Sequence, residues 1–495
     1  MRRTIVVALL IGSPLSAQGY RVRLDGRFQA VGYRGVQLDS IPVTDTVTGP
    51  SGGPATPDGF AVRCPSGAAY CLFFRPGAVQ RGAPFVTTAD ASVWGFGVRG
   101  LSAHATARAA VDFTGSDAWP GTESAIQLLA AYADYSVERL SARAGRQLNG
   151  NRLGTIGFDG ASITVRDGRR GLEATIYGGW GLARGAALPV TSPALNPLDD
   201  FQPGRRQLLL GAEAGWSGRI GDIRGEYLRE VDPATDYFVS ERVGFAGVAR
   251  PAPGWSVSAG ADYDLAAGWW GSAEAALGYT TRSVTGSLGV RRYRPHFDLW
   301  TIWGAFSPVP YTAVQGQVAI RALPQVQVRA RGERYRYNDA EVSAPLVTVE
   351  QSGWRSELGV TASPVASWTF DAGYSREFGP GAASVGTSAS VTYAPTGPYA
   401  VTLHGAALDR PLELRFSESV LHVYGIDGRV EPHPGLRFEI GAVRYAEDRR
   451  RPDPAAIDWG QWRVTLRAVL AIGSGDDLDR LPPAVRRMPG GRAER

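Results

Sequence analysis

Apolar and polar residues alternate along much of this chain with a period of two. After a turn at Pro251 to Gly254, the residues Trp255, Val257, Ala259, Ala261, Tyr263 and Leu265 alternate with Ser256, Ser258, Gly260, Asp262 and Asp264. Successive side chains of a β-strand point to opposite faces, so this pattern predicts a strand with one apolar and one polar face. The same unit of Pro-containing turn and alternating strand recurs at Ser363 to Trp368, Ala394 to Tyr399 and Glu431 to Leu436. A weaker copy runs from Ala322 to Val326. From Phe85 onward, strands follow one another about every 20 residues, and tight turns alternate with longer or more polar connections. The tight turns fall near 100–102, 137–139, 167–170, 218–222, 251–254, 281–283, 323–325, 364–367, 395–398 and 432–435. Longer connections lie between them, including 149–155, 182–203, 295–311, 339–351 and 447–458. An up-and-down meander with loops on one rim and turns on the other gives this alternation. The spacing predicts about 22 strands, a first strand over Tyr20 to Val36, and a long first loop over 38–85. The aromatic-rich stretch 295–311 is expected to be a loop, because an extra hairpin there would upset the count.

The two faces differ in what they can meet. The apolar face is mostly Ala, Gly, Val and Leu, with aromatic rings gathered at strand ends, among them Trp255, Trp354, Trp368, Tyr399 and Trp462. That distribution suits two interfacial girdles around a bilayer. The opposite face carries charges in mid-strand: Arg143, Arg224, Glu226, Asp262, Asp264, Arg329, Arg331, Asp371, Arg437 and Glu439. An ionised group facing lipid near the midplane costs roughly 2–4 kcal/mol, so these side chains are expected to line a lumen. Closing the sheet removes unpaired edges and satisfies every backbone donor inside lipid. The fold class expected is therefore all-β: a transmembrane up-and-down antiparallel barrel with no plug domain ahead of it.

Composition adds to this picture at the ends and the cysteines. Met1-Arg-Arg, the apolar run Ile5 to Ile11 and the small residues up to Ala17 have the layout of a secretory signal peptide, 1–17. The barrel is then expected over 18–472, with a polar tail over 473–495. No other segment approaches ~18 uninterrupted apolar residues, the length a transmembrane helix needs. The chain has 63 Gly, 33 Pro and a formal charge of +5 that rests on Arg alone, without any Lys. Those arginines are interspersed with Asp and Glu and form no basic stripe, which excludes nucleic acid as the expected partner. The two cysteines, Cys64 and Cys71, lie seven positions apart in a Gly/Pro-rich loop. In an exported chain that pair is expected to form a local disulfide.

Ser141 to Gln147, with its Arg-x-Gly-Arg-Gln core, and then Gly157-Phe-Asp-Gly160 resemble a strand that recurs in porin-like families. With the signal peptide, the alternation and the aromatic strand ends, the chain resembles Gram-negative outer-membrane β-barrel proteins of the porin-like group over about 20–472. The resemblance implies outer-membrane lipid around the wall, periplasmic termini and passive passage of small solutes. Typical barrels end on an aromatic residue, whereas a polar tail follows Ile472 here.

Chemistry beyond a pore has little to stand on. The five histidines, His104, His296, His404, His422 and His433, assemble no metal or catalytic set. Folding about a tip near Pro411 would put Ser419 opposite His404. No enzyme activity and no cofactor are expected. Arg143, Arg146, Arg152 and Asp159 form either an anion-favouring constriction or a bracing ladder of ion pairs. So wide a barrel must be narrowed by something. The internal candidates are 38–85 and 295–311. The external candidate is a periplasmic protein such as a multihaem cytochrome, which would make the barrel a sheath.

Overall fold

The structure is a computed structural model that describes residues 19–49, 52–114, 125–182, 206–233, 237–266, 268–294, 310–337, 352–379, 382–395, 397–410, 419–449 and 459–473. The expected signal peptide, all of the tail after Gly473 and nearly all of 295–311 lie outside these residues.

The described chain forms one closed antiparallel barrel. The first strand, β1, is Gly19–Pro42. The second, β2, is made of Tyr70–Gly82 and Pro84–Trp94, which pair with β1 in one continuous direction on either side of Ala83. There follow β3 Leu101–Asp112, β4 Ala125–Ser136, β5 Leu140–Asn151, β6 Gly154–Asp167 and β7 Leu172–Gly181. Then come β8 Leu208–Gly218, β9 Gly221–Asp232, β10 Tyr237–Ala249, β11 Trp255–Asp264 and β12 Trp269–Thr280. The next five are β13 Val284–Tyr293, β14 Tyr311–Leu323, β15 Val326–Tyr337, β16 Ser352–Val365 and β17 Trp368–Gly379. The last five are β18 Ala382–Tyr393, β19 Tyr399–Arg410, β20 Ser419–His433, β21 Leu436–Arg449 and β22 Trp459–Gly473. Each strand pairs with its sequence neighbours, and β22 pairs with β1 from Arg21↔Gly473 to Val31↔Arg463. With β2 taken as one strand, the wall therefore has 22 strands, as the spacing predicts.

The expected first loop is much shorter than 38–85. Beyond Val31, β1 continues to Pro42 against the first half of β2, as a two-stranded arm past the stretch paired with β22. Only 43–69 connects the two strands, and Cys64 and Cys71 join there in the expected disulfide. Polar and Gly residues hid the continuing strand, because an arm without a membrane face needs no clean alternation. Most of the arm's large apolar side chains, Leu38, Phe74 and Val79 among them, are exposed. It does not supply a buried plug.

Alternation sorts the wall as expected. On β11, Trp255 and Val257 are exposed on the outside, while Asp264 is buried at the lumenal side. The turn rim carries aromatic pairs, Trp255 with Tyr279 (ring centroids 4.6 Å apart) and Trp368 with Tyr393 (4.8 Å). Tyr399 lies beside the second pair, 6.5 Å from Tyr393. At the loop rim, Arg444 sits over the Trp462 ring and Arg376 over Trp354. Outward charges start at a common height. Arg292, Arg334, Arg376 and Arg444 each lie eight residues on from the turn-rim ends of their strands, Val284, Val326, Trp368 and Leu436. Eight residues at ~3.3 Å each, tilted by ~40°, leave an apolar belt about 20 Å tall, near the thickness of a bilayer's hydrocarbon core as barrels meet it.

Closure is reinforced from the lumen. Arg467 on β22 makes two hydrogen bonds to Asp25 on β1, at 2.6 and 2.8 Å, and a third to Glu439 on β21 at 3.2 Å. Arg437 also reaches Glu439, at 3.1 Å. Both members of the central pair keep some contact with water, so the coupling between them is expected to be about 1 kcal/mol. A double-mutant cycle of Asp25→Ala and Arg467→Ala, read as the midpoint of heat-induced unfolding in detergent, should show each single variant destabilised and the double variant less so than their sum. Strict additivity would remove this pair from the closure.

Candidate functional site

The interior of the barrel is the candidate site, and one hairpin dominates it. At the loop rim, β5 and β6 meet in a tip formed by Asn151, Arg152, Leu153 and Gly154. This tip does not stand above the wall. The Arg152 backbone N–H donates to Glu226 Oε2 on β9 (2.8 Å), and its guanidinium donates to Glu274 (2.9 Å) and Ser272 (3.2 Å) on β12. Arg242 on β10 donates to the Leu153 carbonyl (2.8 Å). Strands β9 to β12 lie three to six positions further round the wall, so the hairpin end leans inward over the inner wall to reach them.

Two local features send it there. In register across β5, β6 and β7 stand Gly145, Gly160 and Gly179. Gly145 has φ +125°, and a Cβ there would collide with the Ala131 carbonyl. A Cβ on Gly160 would likewise collide with the Gly178 carbonyl. A row without side chains lets the sheet curl sharply at that level. Above it, the lumenal positions turn apolar. Leu153, Ile156, Phe158, Tyr177, Leu209 and Leu228 form a buried cluster, with Phe158 and Tyr177 stacked at 5.5 Å. Asn149 and Asn151 each donate to Glu213 on β8, at 2.7 and 3.1 Å, and Asn151 also donates to Tyr177 Oη. Several of the polar groups that the hairpin carries inward are thereby paired.

The predicted constriction residues are divided by this geometry. Arg143 faces the lumen, paired with Asp134 at 3.2 Å and stacked over Tyr132 at 4.3 Å. Arg152 is carried inward by the tip to β9 and β12, and it lies 3.8 Å from Asp262. Arg146 and Asp159 do not join them. Residues 143 and 146 are an odd number apart, so in a strand they take opposite faces. Arg146 instead binds Asp159 at 2.8 Å on the outer face, where Arg206 also reaches Asp159 and Trp180 is the register partner. Gln147 is the lumenal residue at that level, held by the Gly160 carbonyl and Ser162.

The remaining lumen candidates stand on the inner face in separate patches. Glu226 is buried under the tip, and Asp264 is buried at the end of β11. Arg224 lies two residues from Glu226 on the same face of β9. Arg329 is bidentate to Asp371 (2.9 and 3.0 Å), which Thr361 also contacts, and Arg331 follows on the same face of β15. Between them, Arg291 and Arg355 flank the buried Glu333 at 2.8 and 3.2 Å. Much of the inner wall is thus braced by Arg–carboxylate pairs.

The expected position of His404 is corrected. It lies opposite Gly425 and 3.1 Å from Asp427 in the lumen, while Ser419 pairs with Arg410. Pairing between these strands begins at Arg410 and Ser419, which shifts the register by six residues from a tip near Pro411. His422 falls on the outer face with Asp448 at 3.8 Å, and His104 is lumenal, bound to Ser92 at 2.8 Å.

The architecture is that of a closed, 22-stranded up-and-down antiparallel β-barrel, as the sequence pattern predicts. No protein-family model and no curated protein matches the chain. Among solved structures, OccAB4 of Acinetobacter baumannii is similar with a TM-score of 0.40 and 8% identity, over 93% of this chain and 100% of that one. The siderophore receptor PirA of Pseudomonas aeruginosa is similar with a TM-score of 0.49 and 10% identity, over 90% and 80%. A BenF-like porin from Pseudomonas fluorescens Pf-5 reaches 0.37 at 11% identity, over 92% and 99%. The functional reading below rests on the geometry of this chain alone.

The apolar cluster is what holds the hairpin end in place. Phe158→Ala removes its central ring, 1% exposed, and should cost about 3–5 kcal/mol of local stability. The expected outcome is new protease cleavage between residues 149 and 155 in an otherwise intact barrel. An unchanged cleavage pattern would mean that the cluster does not pin the tip.

Proposed function

We propose that this chain is a passive outer-membrane channel for small solutes, with an aperture set by the inward hairpin tip, 151–154. The observation that carries the reading is Arg152, which leaves its own strands and is tied by hydrogen bonds to β9 and β12 on the inner wall. A barrel of 22 strands encloses far more space than its wall side chains fill, and a chain segment fixed inside it is the usual means of narrowing such a pore. The partition of charge supports the same reading. Ionised groups line the inside along the full height of the strands, whereas the outside is free of them for the ~20 Å next to the turn rim.

In this reading the turn rim faces the periplasm, together with both chain ends, and the loop rim faces outward. The lumen admits small polar solutes by diffusion and is not a sheath for a periplasmic protein, because the barrel's own hairpin occupies part of it. Barrel chemistry is not part of the proposal; many of the described lumenal Arg and carboxylate groups are taken up in pairs that brace the wall.

Purified protein in planar bilayers should give a steady conductance without any partner. Replacing Asn151 to Gly154 with a two-residue Asn-Gly turn should raise the unitary conductance at least about twofold, since the narrowest section limits flow. No conductance from the correctly folded protein, or an unchanged value in the shortened variant, would overturn the proposal.

A further inference from the structure

The turn rim divides sharply into two arcs. Six consecutive turns, from the one joining β2 to β3 round to the one joining β12 to β13, each carry arginine: Arg99, Arg139, Arg169 with Arg170, Arg219, Arg250 and Arg282. The four turns that follow, 324–325, 366–367, 394–398 and 434–435, hold no Asp, Glu, Lys or Arg. All seven arginines are exposed. Within the six turns the one carboxylate is Glu138. Asp167 and Asp222 stand near the adjoining strand ends, 3.8 Å from Arg170 and 2.9 Å from Arg250, and offset part of the charge. The arc stays net basic, with seven arginines against these three carboxylates.

The arginines also sit at a defined depth. Arg219 and Arg282 each follow an outward ring, Trp216 and Tyr279, by three residues, and Arg139 follows Tyr135 by four. Rings at a barrel's rim mark the interfacial layer, so guanidinium groups just beyond them stand level with headgroup phosphates. Strands ~4.8 Å apart and tilted by ~40° put neighbouring turns about 12 Å apart along the rim. The arc is then about 60 Å long, and no single small anion engages it. A leaflet of separate headgroups does. Arginine suits them, because its planar fork binds phosphate oxygens in pairs. A headgroup with net negative charge is favoured over a zwitterion, whose own cation the arc repels.

We propose that the turns from β2 to β13 form a binding shelf for anionic phospholipid headgroups of the leaflet at the turn rim, and that the turns from β14 to β21 do not. The proposal rests on the membrane-spanning reading of the wall and is independent of what the lumen conducts. The arc lies at the foot of β5, β6 and β9 to β12, the strands that carry the inward hairpin and its anchors. The lipid around the barrel is therefore lopsided: anionic under the hairpin side and unselected under the rest.

The test uses the full-length protein in phosphatidylcholine nanodiscs with phosphatidylglycerol as a minor component, and native mass spectrometry counts the lipids retained. Phosphatidylglycerol should be enriched at least about threefold over its bulk fraction. Arg139→Gln/Arg219→Gln/Arg282→Gln should lose most of that enrichment, while the lumenal variant Arg331→Gln keeps it. A photoactivatable phosphatidylglycerol should cross-link to peptides around 219 and 282 and not to those around 366 and 434. Inorganic phosphate, added at matched ionic strength, should leave retention unchanged; full competition would overturn the lipid assignment in favour of a free-anion site. No enrichment, an unchanged enrichment in the triple variant, or cross-linking all round the rim would overturn the shelf itself. Heat-modifiable migration confirms a folded barrel in each variant, so a failure to insert, which counts against the membrane reading, is distinguishable from a failure to bind.

Discussion

Everything in this molecule depends on the pairing of its first strand with its last. Between Arg21 and Val31, β1 holds β2 on one side and β22 on the other, and no wall strand is left with an open edge there. In a bilayer this is an obligation, because an unpaired backbone donor in hydrocarbon costs several kcal/mol. Once the ring closes, the two-residue period of every strand acquires a meaning: one face must suit lipid and the other water. The lumenal bridge from Arg467 to Asp25 and Glu439 ties the same seam with side chains.

Closure also creates the problem that the hairpin solves. A ring of 22 strands has more interior than its inward side chains can fill. The chain responds with the glycine row at Gly145 and Gly160, which lets β5 and β6 curl, and with the cluster around Phe158, which holds the curled end against the inner wall. The apolar residues that would ordinarily face lipid are here spent inside, under a tip whose polar groups are met by Glu213, Glu226 and Glu274. In the proposed reading, packing and hydrogen bonding of this hairpin narrow the lumen.

Legibility in the sequence followed the strength of the repeating signal. Strand number, turn positions, the disulfide and the faces of Trp255, Trp368, Arg329 and Asp262 could be read directly, because a period of two repeated over a whole wall is hard to mistake. Register across long loops could not: nothing near Pro411 announces that pairing starts at Arg410 and Ser419, six residues from the expected partner His404. The constriction was half legible. Arg143, Arg146, Arg152 and Asp159 cluster in sequence, but parity alone already separates 143 from 146. The arrival of Arg152 at β12 depends on a bend that only the juxtaposed glycines of three strands produce. Those glycines are visible singly in the sequence, yet their alignment is a property of the fold. The arm of β1 and β2 was hidden for the opposite reason: outside the membrane, strand faces need not alternate.

A water-filled lumen behind an alternating wall is the central claim, and adjacent positions on one strand test it most directly. Because the two native cysteines are joined in the disulfide, single cysteines can be placed at Ser256, Val257, Ser258 and Ala259 and treated with a charged, membrane-impermeant thiol reagent while current is recorded across a planar bilayer. The account predicts that modification at Ser256 and Ser258 reduces the current and that modification at Val257 and Ala259 does not. An effect at all four positions, or at none, would contradict it.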